Sequence, residues 1–184
     1  TDSTASLNGG NGLNLASFNG GNLNVDASDN ALGSNLLNGL NANADAGTID
    51  FVNFSNTTMN TNTLLGAVLN ADTGGIINGT FASNSLQSNL AGGLSSTLDN
   101  GSQLNMAFSA SQFNGNTGFG ISLSALNGSS YGTLADPVTF DTITVNDNVG
   151  PGILLSGTTG STIGFTLSNS QIANTVVDPL TQAL

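Results

Sequence analysis

Apolar residues recur along this chain at a fixed interval. Leu32, Met59, Leu86 and Phe113 are spaced at 27; a gap of 32 then leads to Val145, and 27 more residues reach Ile172. Going backwards, Leu7 precedes Leu32 by 25. Three residues past successive members stand Asn35, Asn62, Asn89, Asn116 and Asn148, and eight past lie Leu15, Leu40, Ala67, Leu94, Ile121 and Ile153. A second apolar series, Phe54, Phe81, Phe108, Phe140 and Leu167, keeps the period and the same interruption. A repeat of this size marks stacked units, none of which buries its apolar face alone. The pattern predicts a solenoid.

Within each period the apolar residues alternate over short runs, as in Phe119-Gly120-Ile121-Ser122-Leu123 and Phe165-Thr166-Leu167. Period-2 alternation places one face inward and one outward on a strand. Composition supports strands over helices: Glu, Lys and Arg are absent, and Asn, Gly, Ser and Thr, which favour turns, are abundant. The expected fold is all-β, a parallel β-helix of about six to seven coils with three short strands per coil, forming a single domain over 1–184. The extra residues should form an insertion loop at about 124–137, carrying Tyr131 and Pro137, and a partial coil or tail should occupy 172–184.

The later coils align best. Phe113-Asn114-Gly115-Asn116-Thr117-Gly118-Phe119-Gly120-Ile121-Ser122-Leu123-Ser124 lies over Val145-Asn146-Asp147-Asn148-Val149-Gly150-Pro151-Gly152-Ile153-Leu154-Leu155-Ser156. On these residues the chain resembles the right-handed parallel β-helix repeats of bacterial secreted and surface proteins, the pectate-lyase-like group. That resemblance implies an architecture shared by lyases, adhesins, tailspikes and structural fibres, so it points to a fold and to no single activity.

Stacking also explains the asparagines. Equivalent side chains lie one above another at strand spacing, so Asn35, Asn62, Asn89, Asn116 and Asn148 are expected to pass amide hydrogen bonds up the stack as a ladder. The alternative is that they merely tolerate left-handed backbone in turns.

Charge narrows the function classes. All 11 acidic residues are Asp, and Lys, Arg and His are absent, giving a net charge of −11. Without a basic patch, binding to nucleic acid or to anionic lipid through phosphates is not expected. No side-chain ion pair can form, so stability must rest on apolar burial and stacked hydrogen bonds. Trypsin-like proteases have no site, which suits an extracellular or cell-surface location. No apolar run is long enough to insert in a membrane.

Catalysis has little to draw on. His, Glu, Lys and Cys are all absent, and the remaining carboxylate candidates, Asp136, Asp141 and Asp147, read as solvated turn residues. We expect no enzyme, no cofactor and no transition metal. Gly9-Gly10-Asn11-Gly12-Leu13-Asn14-Leu15 is similar to a calcium-binding nonapeptide repeat. Asn14 stands where that motif wants Asp and no second repeat follows, so a plain turn is expected, with structural calcium the alternative. A row of outward threonines would mark an ice-binding solenoid, but Thr57, Thr58, Thr61 and Thr63 are followed one period later by Asn84, Ser85, Ser88 and Leu90.

Two readings remain. The first is a structural subunit of an extracellular fibre, a homopolymer joined head to tail through open solenoid ends. The second is a segment of a larger adhesin or tailspike-like protein that binds glycans or another partner. The expected assembly residues are Leu7, Leu13 and Leu15 at one end and Val176, Val177, Leu180 and Leu184 at the other.

Overall fold

The computed structural model describes residues 2–133 and 135–174. The chain winds into a parallel β-solenoid of about six coils with no helix among these residues. The first coil carries β1 (Leu13–Phe18) and β2 (Asn22–Ser28), and the second β3 (Leu40–Asp45) and β4 (Thr48–Ser55). The third holds β5 (Leu65–Asp72) and β6 (Ile76–Ala82), and the fourth β7 (Gly92–Leu98) and β8 (Gln103–Ser109). In the fifth are β9 (Phe119–Ala125), β10 (Ser130–Tyr131) and β11 (Val138–Asp141). The sixth contains β12 (Thr144–Asn146), β13 (Ile153–Gly157), β14 (Thr162–Ile163) and β15 (Phe165–Ser168), and β16 (Gln171–Ala173) opens a seventh.

Three parallel faces result. One is the sheet β1-β3-β5-β7-β9-β13; a second runs from β2 through β4, β6 and β8 to β10, β11, β14 and β15. The third is narrow: single bridges link Thr4, Ala31, Thr58, Ser85, Gln112 and Thr144 before β12 and β16 pair. At each of the three corners the chain takes a left-handed residue, coil after coil. One column is Asp29, Asn56, Ser83, Ala110, Thr142 and Asn169, and another Leu7, Ser34, Thr61, Ser88, Gly115 and Asp147. The third is Asn19, Ala46, Thr73, Asn100 and Asn127. Three turns per coil, each needing one residue at positive φ or, as at Asn19-Gly20 and Asn100-Gly101, two, explain why Asn, Asp, Ser and Gly are so frequent.

The interior is built from stacked columns. Leu32, Met59, Leu86, Phe113 and Val145 form one, at most 4% exposed, with Ile172 as its outermost member. Ala5, two residues before Leu7, is the member beneath Leu32, because Thr4 bridges Ala31. The phenylalanine series stacks as expected: Phe54 on Phe81 at 5.1 Å, Phe81 on Phe108 at 5.4 Å and Phe108 on Phe140 at 4.5 Å between ring centroids. Leu167 is the backbone partner of Phe140, but the ring lying against Phe140 is Phe165, at 5.1 Å.

The insertion is smaller than the sequence suggests. Ser124 and Ala125 belong to β9, and Ser130 and Tyr131 pair in register with Gln103 and Leu104. Strand pairing with β8 ends at Tyr131 and resumes at Thr139. Tyr131 is therefore no loop residue: its ring is fully buried, its hydroxyl donates toward the carbonyls of Ser96 (2.8 Å) and Ser124 (3.1 Å), and it accepts the Ser124 N–H at 3.1 Å. A phenol can lie inside this core only because these partners satisfy it.

Candidate assembly surface

The asparagines form a continuous buried ladder. The backbone N–H of Asn35 donates to Asn62 Oδ1 at 2.9 Å and its Nδ2 donates to the same oxygen at 3.1 Å. Asn62 repeats this on Asn89, Asn89 on Asn116, and Asn116 on Asn148. Asn8 joins at the start, with both donors 3.0 Å from Asn35 Oδ1. Each carboxamide oxygen thus takes two donors from the coil before it. Space for the ladder comes from glycine: a Cβ on Gly66 would lie 2.9 Å from Asn89 Nδ2, and one on Gly93 3.1 Å from Asn116 Nδ2.

A second ladder was not foreseen. Backbone N–H groups of Ser3, Asn30, Thr57 and Asn84 donate to Asn30 Oδ1, Thr57 Oγ1, Asn84 Oδ1 and Ser111 Oγ, at 2.9–3.5 Å. These side chains share only an acceptor oxygen, which is all the corner requires.

Five carboxylates accept an asparagine amide from the following coil. Asn53 Nδ2 donates to Asp26 (3.3 Å), Asn78 to Asp50 (2.7 Å), Asn100 to Asp72 (2.8 Å), Asn127 to Asp99 (2.6 Å) and Asn169 to Asp141 (2.9 Å). Asparagine amides stand where other proteins place Lys or Arg. The Asn100 amide and the Thr73 N–H hold the Asp72 carboxyl below its ordinary range. Ser168, then Asn169 and Thr142, do the same for Asp141. No three carboxylates among the described residues converge on a point where a metal could sit. The Oδ1 of Asn14, the calcium-motif position, accepts from Asn41 Nδ2 at 2.6 Å.

At the first coil, β1 pairs only with β3 and β2 only with β4, so one edge of each is open. Leu13 and Leu15 point inward there, partly buried, as do Ala5 and Leu23. Leu13, and not Leu15, is in register with Leu40. Leu7 does not belong to this apolar edge: it is 83% exposed at a corner, with φ +60°. At the far end the interior columns finish in Leu155, Leu167 and Ile172, which are 39–43% exposed. Val176, Val177, Leu180 and Leu184 lie outside the described residues.

A groove of about 280 Å³ lies beside the insertion, lined by Thr80, Asn105, Met106, Asp136, Pro137 and Thr139 among others. No protein-family model, curated protein or solved structure matches this chain.

Proposed function

We propose that this chain is a structural, non-catalytic solenoid of the extracellular space, joined end to end with further copies of itself into a fibre. The observation that carries this reading is the polarity of the ladders. Every Asn in the series from Asn35 to Asn148 accepts two hydrogen bonds from the coil beneath it. Asn8 occupies the same position on the open edge of the first coil, above inward-facing Ala5, Leu13, Leu15 and Leu23. A coil of the same repeat supplies the matching donors and the apolar cover. Strand edges of this kind are templates for pairing, and a head-to-tail contact that does not close gives a filament.

A charge on the inward side of this edge tests the proposal. Leu15→Asp should stop assembly measured by light scattering, whereas the outward neighbour Asn14→Asp should leave it intact, both with an unchanged circular dichroism spectrum. Equal assembly of the two variants would remove the edge from the interface.

The groove beside the insertion supports a second reading, a segment of a larger surface adhesin. Asp136, Asn105, Thr80 and Thr139 suit the hydroxyls of a neutral glycan, and Met106 and Pro137 suit its C–H faces. Glycan-array binding abolished by Asp136→Ala would favour that reading.

A further inference from the structure

Among the described residues, half of the exposed large apolar side chains lie on one corner. Leu36, Leu37, Leu64, Leu90 and Val149 are 41–63% exposed within two residues after the ladder asparagines, and Leu7 sits one residue before Asn8. Elsewhere such residues are single on the side walls (Phe18, Val52, Leu154) or belong to the last-coil columns. The corner is aligned by backbone bonds: Thr63 N–H donates to the Asn35 carbonyl, Leu90 to Asn62, Thr117 to Asn89 and Val149 to Asn116. One column therefore reads Leu36, Thr63, Leu90, Thr117, Val149, and its neighbour Leu37, Leu64, Ala91, Gly118, Gly150. The stripe is roughly 20 Å tall at strand spacing. A contiguous apolar stripe of this kind marks an interaction site.

We infer that this stripe is a lateral docking surface for a second, antiparallel copy of the chain. Charge selects the partner. At a net charge of −11 two copies repel, yet the ladder asparagines and the three residues after each (35–38, 62–65, 89–92, 116–119 and 148–151) contain no Asp. Copies can approach along this corner without setting carboxylate against carboxylate.

Side-chain size fits an antiparallel pair. The first column alternates large and small, and the second tapers from leucine to glycine. With the two-fold axis between the fourth and fifth coils, Leu90 meets Thr117 of the other copy, Val149 meets Thr63, and Leu64 meets Gly150. In a parallel pair about an axis along the stack the two columns would face each other crosswise, setting Leu36 against Leu37 and Thr117 against Gly118. The antiparallel arrangement sets Leu90, Val149 and Leu64 each against a smaller residue, with Ala91 against Gly118, in a self-complementary two-fold contact. So narrow a contact is weak for one pair of copies, and it repeats along any fibre.

The chain has no cysteine, so introduced ones report contacts without background. Thr63→Cys and Val149→Cys chains, mixed and oxidised, should give a disulfide-linked heterodimer, because bridging needs Cβ atoms about 4 Å apart. Neither variant alone should cross-link, since antiparallel copies hold like positions three coils apart. Adding Leu90→Asp to both chains should reduce the heterodimer at least tenfold without changing the circular dichroism spectrum. Homodimers of either single variant, or no heterodimer at high protein concentration, would overturn the inference.

Discussion

Asn89 illustrates what a single residue does in this molecule. Its buried Oδ1 accepts both the N–H and the Nδ2 of Asn62. Asn89→Ala leaves two buried donors without an acceptor, at a cost on the order of 3 kcal/mol in chemical denaturation. Asn8→Ala, at the open edge where nothing sits beneath its oxygen, should cost under about 1 kcal/mol. Equal losses would show that the ladder does not carry stability coil by coil. Titration follows from the same local bonds. Asp72 and Asp141 have their carboxyl pKa values lowered below the ordinary 3.8 by hydrogen bonds from the next coil. Their contribution is complete above pH 3.8 and fades as pH falls through the lowered values. Both are exposed, so the effect is small and the fold should persist at pH 3; carboxylate NMR titration checks the two values. Tyr131 acts at the other extreme, its pKa raised above 10 by burial. It stabilises fully below pH 10 and loses that contribution as pH rises further. Tyr131→Phe should remove this alkaline sensitivity, at a cost of about 1–3 kcal/mol from the unpaired Ser124 N–H. The main ladder was legible because one residue type recurs at one spacing. The Ser3-to-Ser111 ladder was not, because Ser, Asn and Thr share only an oxygen.

Between neighbouring coils the element is defined by how closely backbones approach. A Cβ on Gly93 would stand 2.5 Å from the Gly120 carbonyl oxygen, so the strand start at β7 cannot accept a side chain without separating coils. Gly93→Ala should therefore cost about 2–3 kcal/mol. Gly101→Ala, at a corner with φ +76° and open space around it, should cost about 1 kcal/mol from backbone strain alone. Thermal melts of the pair distinguish packing from conformation. The periodic apolar columns made the strands readable from sequence, and the misread positions have a common cause. In the first coil the column is held by Ala5 and Leu13, and a small alanine carries too little hydrophobic signal to displace Leu7 and Leu15 from the series. The five extra residues reveal that the fifth coil is longer without revealing where it bulges. Tyr131 is placed by its pairing with Leu104 and Ile163.

As a whole molecule this is an acidic solenoid without side-chain cations, held by repeated apolar columns and by coil-to-coil hydrogen bonds along its axis. Added salt should stabilise it slightly by screening the aspartates. On the proposed reading the ends serve axial contact and the apolar corner lateral contact, so variants of one should leave the other working. We propose that the open edge of the first coil accepts a further coil from another copy. Cryo-electron microscopy of the purified full chain tests it most directly. The account predicts unbranched filaments in which coils continue across subunit boundaries at about 4.8 Å, with Asn8 of one subunit seated on the last coil of the next. Discrete single rods at high concentration, or filaments whose coils break at the boundary, would contradict it.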